Sequence, residues 1–175
     1  MAGFWQNADS NPKRNYTYRV TIGDKVAFWA KAVTLPTFDV SNVEIHHFDN
    51  RYYFPGRVTW NPVSITMVDP ISEDVAKLVS EFLKPSYQVP ASEGDKSKSL
   101  ERKALMDAIG PTVKIEVYDP KDTKNTIVET WELKNPFIES AKYGDLAYDS
   151  DDLKTIEISI RYDYAKHDQA AFNVP

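Results

Sequence analysis

The sequence predicts a mainly β (α+β) protein, an antiparallel β-sandwich or barrel with one flanking α-helix. Roughly six to eight segments alternate apolar and polar side chains, the pattern of strands with one buried face. Only residues 75–82 show a clear helical period. The aromatic fraction of 13% also favours strands and interfaces.

Two strands joined by a tight turn begin the predicted fold. Residues 16–22 alternate, and Gly23 with Asp24 turns the chain into a second strand over 26–32. Four apolar side chains are expected to share one face of that second strand: Val26, Phe28, Ala30 and Ala32. Pro36 ends the pairing because proline has no N–H for the ladder.

The next segment, 40–59, has no clean hydrophobic face, and its centre at 46–57 reads HHFDNRYYFPGR. Large polar and aromatic side chains crowd this stretch, so it cannot form a core by itself. We expect either a solvated loop or a hairpin-like protrusion, over 40–60, that buries itself against another surface.

A strand and the main helix follow. Val63, Ile65 and Met67 define the strand, and Ser72 stands where it can cap a helix. The helix is predicted from apolar residues at i, i+3, i+4 and i+7, and it ends before Pro85: Val75, Leu78, Val79 and Phe82. Residues 85–99 are rich in Pro, Ser, Gly and charge, and predict a mobile loop.

The last part of the chain predicts more strands. One or two helical turns over 100–109 stop at Gly110, and alternating strands follow over 113–117 and 127–133. An acidic turn at 149–152 precedes the longest strand, 155–164. Its apolar face is predicted to hold Ile156, Ile158, Ile160, Tyr162 and Tyr164.

Composition limits the function classes. A chain of 175 residues fits a single domain, and the absence of cysteine excludes disulfides and thiolate chemistry. No signal-peptide layout or run of about 20 apolar residues is present, so we expect a soluble protein made in a cytoplasm. The net charge of −5 argues against a protein that grips nucleic acid.

Residues 135–164 resemble the C-terminal signature of tail tube proteins of contractile-tailed (myovirus-type) bacteriophages. That signature holds a proline loop, a Gly-x-Leu, an acidic turn, a Thr-led amphipathic strand and a closing Asp-Tyr. The matching elements here are Pro136, Gly144, Leu146, the 149–152 turn, Thr155, Asp163 and Tyr164.

Residues 16–69 are similar to the same family's first half. There a KA-x-x-LP segment follows the first hairpin, and an extended hairpin, a glycine, a tryptophan and an alternating strand closing on Asp come next. The matching residues are Lys31, Ala32, Leu35, Pro36, Gly56, Trp60 and Asp69.

The resemblance implies a structural virion protein, the inner tube of a contractile phage tail. Six subunits would join their sheets into a hexameric ring around a channel, and stacked rings would conduct DNA during ejection. The implied partners are further copies, the tail sheath, the baseplate or tube initiator, the tail terminator and DNA passing without specific binding. The implied location is the virion, assembled in the host bacterial cytoplasm, with no membrane anchor.

Under this interpretation two segments contact neighbouring subunits. The protruding hairpin would carry aromatic anchors of the kind that interfaces favour, at Phe48, Tyr52, Tyr53 and Phe54. Phe4 and Trp5, in an extended arm over 1–15, would dock on a neighbouring ring. The alternatives are an ordinary loop that packs on its own domain and a disordered tail.

The polar faces of two strands are the candidates for the channel lining: Ser64, Thr66, Glu157, Ser159 and Arg161. The alternative is a solvated outer face, and the sequence does not separate the two. The mild acidity of the chain would suit an anionic lumen, which repels phosphate.

No pattern in the sequence predicts catalysis or a cofactor. His46 and His47 are adjacent and would point to opposite sides of a strand, which does not suit one metal ion shared with Asp49. His167 is expected in a polar tail. The acidic turn lacks the later oxygen ligands of a calcium loop, because Leu153 and Ile160 stand in their places. We therefore predict no enzyme, no metal site and no cofactor.

Two other functions stay open at this point. A baseplate tube initiator, or the tube of a secretion or toxin-injection machine, shares the fold of a tail tube protein. A monomeric β-sandwich that binds a ligand such as a carbohydrate would use Trp60, Tyr52 and Tyr53 as a stacking platform.

Overall fold

The computed structural model describes residues 13–23, 25–27, 29–71, 75–84, 101–119, 126–149 and 151–169. Within them the chain forms eleven strands and two helices. The strands are β1 (Tyr18–Ile22), β2 (Lys25–Val26), β3 (Ala30–Val33), β4 (Phe38–His47), β5 (Asn50–Trp60), β6 (Val63–Val68), β7 (Thr112–Tyr118), β8 (Ile127–Lys134), β9 (Phe137–Lys142), β10 (Thr155–Arg161) and β11 (Tyr164–Gln169). The helices are α1 (Val75–Leu83) and α2 (Arg102–Ile109).

Two antiparallel sheets pack face to face around one core. Sheet A has the order β11-β8-β7-β1-β2, and sheet B has the order β3-β6-β10-β9. Side chains from both sheets meet in a single buried cluster, whose fully enclosed members include Val20, Ile115, Leu133, Ile65 and Ile158. The predicted mainly β fold class is confirmed, because alternating strands bury one face each against the other sheet.

The helices close the core at one side, and there are two where the sequence predicted one flanking helix. Val75 and Val79 of α1 and Leu105 and Ile109 of α2 are buried. The marginal helical turns expected over 100–109 are a continuous helix, α2. Short helices of this kind gain their stability from packing an apolar stripe against the sheets.

The predicted cap of α1, Ser72, lies outside the described residues, as does the predicted 85–99 loop. In the described part of the chain, Asp69 accepts a hydrogen bond from the backbone N–H of Val75 at 3.1 Å. Lys154 donates to the other carboxylate oxygen at 2.7 Å. Asp69 therefore joins the end of β6 to the start of α1 and to the segment before β10.

Two segments that the sequence predicted as single strands are each divided between the two sheets. The segment 26–32 is not one strand, because β2 pairs with β1 in sheet A while β3 pairs with β6 in sheet B. The segment 155–164 is also split: β10 belongs to sheet B, and β11, from Tyr164, pairs with β8 in sheet A. In both places the chain crosses from one sheet to the other.

Hydrogen bonds hold the second crossing at Asp163. Its backbone N–H donates to the carbonyl of Lys134 at 3.0 Å, and its carboxylate accepts from Asn135 and Arg102. Tyr162 stays buried, whereas Tyr164 is 43% exposed and does not share the predicted buried face. His167 lies in β11 opposite Trp131, so the polar tail predicted for it is wrong as well.

Candidate assembly surfaces

A long two-stranded hairpin, β4 with β5, leaves the sandwich between β3 and β6. It continues the β3–β6 ladder, because Thr34 donates to the carbonyl of Ser64 and Asn61 donates to the carbonyl of Thr37, both at 2.9 Å. At its root the Phe38 and Trp60 rings lie 5.3 Å apart. Trp60 in turn lies 6.1 Å from the ring of the buried Tyr162, which connects the hairpin to the core.

Apolar side chains cover this hairpin, which will be called the arm (residues 38–60). Of the eighteen large hydrophobic side chains that are exposed in the described residues, nine lie on the arm. They are Phe38, Val40, Val43, Ile45, Phe48, Tyr52, Tyr53, Phe54 and Val58. A concentration of this size on one protruding element is typical of an interaction surface, because exposed apolar side chains are usually scattered singly over a protein.

The apolar side chains form two stripes. Near the root, Phe38 lies opposite Trp60 and Val40 opposite Val58. Near the tip, Val43 lies opposite Phe54 and Ile45 opposite Tyr52. Successive side chains along a strand point to opposite faces. The two stripes therefore lie on opposite faces of the arm, with Phe38 and Val40 of β4 on one face and Val43 and Ile45 on the other.

A β-bulge separates the two stripes. Between the pairs Val40–Val58 and Asn42–Pro55, β4 advances two residues (40 to 42) and β5 advances three (58 to 55). Ser41 fills the irregular position, since its Oγ accepts from the N–H of Arg57 at 2.8 Å. An extra residue in one strand bends the hairpin and increases its twist, so the bulge sets the direction of the tip stripe.

The four aromatic residues that were predicted as anchors of the protruding hairpin lie at different positions on it. Phe48 lies in the turn at the tip and is 90% exposed. Tyr52 and Phe54 share the tip stripe, whereas Tyr53 lies opposite Glu44 on the other face. The two other predicted contact residues, Phe4 and Trp5, lie outside the described residues.

The structure brings together all five residues predicted to line a channel, on the outer face of sheet B: Ser64, Thr66, Glu157, Ser159 and Arg161. Thr66 lies opposite Glu157 and Ser64 opposite Ser159. Ser64 donates to Glu157 at 3.0 Å. Small hydroxyl side chains make up the centre of this face.

The charges on this face are paired within it. Lys142 donates to Glu157 at 3.1 Å, and Arg161 donates to Glu139 at 2.8 Å. The Lys142 and Ser64 hydrogen bonds lower the pKa of Glu157 below its ordinary value. Two acids facing two bases leave these four residues neutral, so they do not supply the negative charge that an anionic lumen would need.

A cleft of about 380 Å³ opens beside the root of the arm. Its apolar lining includes Val33, Leu35, Ile115 and Val117, and Lys13, Arg14 and Lys31 bring positive charge to it. One acid, Glu129, also lines it. Glu129 accepts from Trp131 at 2.6 Å and from Lys13, and His167 approaches it to 3.2 Å.

The contacts with Lys13, Trp131 and His167 determine the charge state of Glu129. Burial raises the pKa of Glu129, but the hydrogen bonds from Lys13 and Trp131 outweigh it and lower the pKa below its ordinary value. The carboxylate therefore stays charged and compensates Lys13. Arg14 and Lys31 also line the cleft and make no ion pair with any other described residue.

The histidines and the acidic turn do not assemble a metal site in the described part of the chain, where no three His or acidic side chains cluster suitably. His46 lies opposite Arg51 and approaches Glu44 to 3.6 Å, while His47 lies opposite Asn50. Asp149, Asp151 and Asp152 are exposed. Among the helices of the described residues, none has the length and apolar character needed to cross a membrane.

Three solved structures share this fold over nearly the whole chain. A chain of the anti-feeding prophage cap, the AFP tube-terminating cap, matches with a TM-score of 0.69 at 14% identity, covering 94% of this chain and 95% of that one. A chain of the PVC extracellular contractile injection system, in its sheath/tube terminator, matches with a TM-score of 0.66 at 15% identity, covering 92% and 99%. The fold is a contractile-system tube fold.

A chain of the PVC sheath–tube complex in its extended state has the same tube fold, with a TM-score of 0.63 at 15% identity and coverage of 97% and 100%. No protein-family model matches the sequence, and no curated protein matches it. At these identities the likeness establishes the tube fold and leaves the role of the chain to its own surfaces.

Proposed function

We propose that this chain is a structural tube-type subunit of a contractile-tail particle, and that it works by assembling with copies of itself and without catalysis. The apolar arm carries the proposal, because half of the exposed large hydrophobic side chains of the described residues lie on residues 38–60. The tube fold supports the proposal. A standard interface takes about 20–30 residues from each partner, which is the length of the arm.

The assembly proposed is a hexameric ring, with rings stacked into the inner tube of a contractile phage tail. Free strand edges provide one contact, because β9 and β3 end sheet B and β11 ends sheet A in the described part of the chain. An unpaired edge offers backbone donors and acceptors to a neighbouring strand. The arm provides the second contact, which buries aromatic side chains against another copy.

The outer face of sheet B lines the channel in this proposal. Its centre consists of serine and threonine side chains, and its charged residues are paired with one another. Such a face offers no cluster of free cations to hold phosphates. DNA would then pass during ejection without specific binding, while the outside of the tube contacts the sheath and its ends contact the baseplate and the terminator.

A tube-terminating cap is the second candidate, favoured by two structures that share the fold, the AFP tube-terminating cap and the PVC sheath/tube terminator. In this alternative the chain would form the same ring but would end the stack. An initiator at the baseplate, or the tube of an injection machine whose cargo is protein, is a further possibility within the same assembly class.

The arrangement of aromatic residues opposes the rival function, ligand binding by a monomer. Tyr52 and Tyr53 are adjacent in β5 and point to opposite faces. Trp60 lies seven residues from Tyr53, about 20 Å along a strand, and packs on Phe38. The three side chains therefore form no single stacking platform.

Sedimentation velocity combined with negative-stain electron microscopy of the purified protein tests the proposal. A tube subunit is expected to form rings of six copies and, with rising concentration, stacked tubes with a central channel. Rings that never stack would identify the cap. A 20.0 kDa monomer at every concentration would contradict both the tube subunit and the cap, and would favour ligand binding by a monomer.

A further inference from the structure

The turn at the tip of the arm holds a bulky residue in a conformation that favours glycine. His47 and Asn50 are the last paired residues, so Phe48 and Asp49 form a two-residue turn. Phe48 has φ of 53°, and Asp49 is not among the described residues with positive φ. A turn with positive φ at its first central residue usually places glycine there.

This conformation is costly for phenylalanine. A left-handed backbone brings the Cβ too close to the carbonyl oxygen, and only Gly, Asn and Asp adopt it often. The ring contacts His47, with centroids 4.6 Å apart, but it is 90% exposed. Residues held in strained backbone conformations cluster at functional sites, which makes Phe48 a candidate contact residue.

The cleft beside the arm's root complements this tip. Its floor includes the fully buried Ile115 with Val33 and Val117, and a volume of about 380 Å³ can hold an aromatic ring. Arg14 and Lys31 line it and make no ion pair with another described residue. The tip offers an aromatic side chain next to the acid Asp49, which makes no ion pair with another described residue.

We propose that Phe48 and Asp49 of one copy occupy the cleft of a second copy. The Phe48 ring packs on Val33 and Val117, and the Asp49 carboxylate faces Arg14 and Lys31. This inference rests on the proposed self-assembly and names the contact that stacks one copy on the next. Buried aromatic anchors surrounded by complementary charge are the usual centre of such contacts.

The contact must join different copies. The cleft lies at residues 31–35, beside the arm's root, and β4 and β5 separate it from the tip. A ten-residue strand spans about 33 Å, so the tip cannot fold back into its own cleft. Each copy has a tip and a cleft, so the contact is head-to-tail, and it adds copies indefinitely unless it closes into a ring.

Engineered cysteines test the contact, because the chain has no cysteine of its own. Ala32→Cys places a thiol in the cleft lining and Asn50→Cys places one beside the tip, and both positions are exposed. Under mild oxidation the A32C/N50C protein is expected to give a ladder of dimers, trimers and higher species on a non-reducing gel. An equimolar mixture of the two single variants should stop at the heterodimer.

The control pairs Asn50→Cys with Asp107→Cys, an exposed position on α2. We expect at least about tenfold less multimer from D107C/N50C, because a disulfide needs Cα atoms within about 7 Å. Equal ladders from the two pairs would overturn the proposal. Tubes by electron microscopy without the A32C/N50C ladder would overturn this contact and leave the proposed function intact, whereas a monomer with no ladder would end both.

The chain's own start is the other occupant to exclude. A Trp5→Cys and Ala32→Cys double variant that forms an intramolecular disulfide, with no multimers from A32C/N50C, would overturn the proposal in favour of the chain's own first residues. Phe48→Ala should lower the A32C/N50C ladder at least about tenfold. An unchanged ladder after Phe48→Ala would also contradict the anchor role of the ring.

Discussion

Gly56 and Ser41 face each other across the arm with no room for another atom. A Cβ added to Gly56 would lie 2.3 Å from Ser41 Oγ and 2.9 Å from its carbonyl oxygen. The Ser41 Oγ also accepts a hydrogen bond from the backbone N–H of Arg57 at 2.8 Å. The bulge that separates the two apolar stripes therefore depends on the glycine.

Gly56→Ala is expected to disturb the arm without unfolding the sandwich. Forcing a methyl group into a filled space costs about 1–3 kcal/mol, and we expect the arm to distort at the bulge. The concentration needed for half-maximal assembly, measured by sedimentation velocity, should rise about tenfold or more. The free energy of unfolding in urea should fall by no more than about 1–3 kcal/mol, because the exposed arm can distort locally at the bulge.

Gly23→Ala is the matched control for Gly56→Ala. Gly23 has φ of 59°, and a Cβ there would lie 2.3 Å from the carbonyl oxygen of Ile109 at the end of α2. Strain in the sandwich itself should lower the free energy of unfolding by about 2–4 kcal/mol. Equal effects of the two substitutions on unfolding would contradict a separate role for the arm.

Phe48→Asn should separate stability from assembly. Asparagine tolerates a φ of 53°, so the free energy of unfolding is expected to stay constant or rise by about 1 kcal/mol. Loss of the ring should weaken assembly about tenfold or more. Phe54→Asn removes an aromatic residue without relieving strain, so a stability gain from both variants would refute the strain at Phe48.

Single substitutions at Tyr53 and Phe54 should show which face of the arm meets a partner. Truncating a buried interface aromatic often costs 2 kcal/mol or more. The double variant Y53A/F54A should cost several kcal/mol of assembly free energy, measured by concentration-dependent sedimentation. Phe54→Ala should account for most of it, because Phe54 lies in the tip stripe and Tyr53 lies opposite Glu44. Normal tubes formed by the double variant would contradict a role of the arm in the interface between copies.

Asp69→Asn should lower the free energy of unfolding by about 1–2 kcal/mol at neutral pH, since Asp69 caps α1 and pairs with Lys154. The Lys154 hydrogen bond lowers the pKa of Asp69 below 3.8, although burial acts in the opposite direction. A lowered folded-state pKa means that the stabilisation is complete above pH 3.8 and is lost as the pH falls through the folded pKa.

Urea unfolding of the wild type and Asp69→Asn across that pH range measures the difference. It should shrink toward zero below the folded pKa of Asp69. Asp145→Asn, at an exposed loop position, is the control and should give no comparable loss. A difference between wild type and D69N that does not depend on pH would contradict the ionised cap.

Tyr162→Phe is expected to leave the free energy of unfolding unchanged or to raise it by about 1 kcal/mol. Within the described residues the Tyr162 hydroxyl is buried without a hydrogen-bond partner, and burial raises its pKa. Removing such a group relieves a desolvation cost. Tyr118→Phe serves as control, because its hydroxyl donates to Glu116 at 3.0 Å and its loss should cost about 0.5–1.5 kcal/mol. A clear destabilisation by Y162F would reveal a partner for the hydroxyl.

Periodicity predicts the strands that face the core on one side, and it fails where the chain changes sheet. Residues 63–67 and 156–160 alternate because they bury every second side chain, and the structure confirms both. The crossings after Val26 and Arg161 leave no mark in the sequence pattern, because the alternation continues through both; Tyr164 continues it and yet is exposed in β11. A one-dimensional alternation therefore merges strands that belong to different sheets.

The arm lacked a clean face in the sequence for a physical reason. The extra residue of β5 at the bulge reverses the parity of the pattern, so Val58 and Trp60 fall in register with Phe38 and Val40, while Tyr52 and Phe54 fall on the other face. Each half alternates, but the whole segment does not. Val43 and Ile45 escaped notice because the apolar residues of β4 change phase at Ser41, and a separate test of alternation on each side of Ser41 would have found them.

The continuous path of backbone from β3 and β6 into β4 and β5 has a mechanical consequence. Antiparallel ladder bonds run perpendicular to the strands, so a pull along the arm loads all the bonds between β6 and its neighbours together, in shear. Breaking them requires their simultaneous rupture, whereas peeling would break them one at a time. A copy held by its arm would thus transmit axial force into its own core sheet and stretch very little under load.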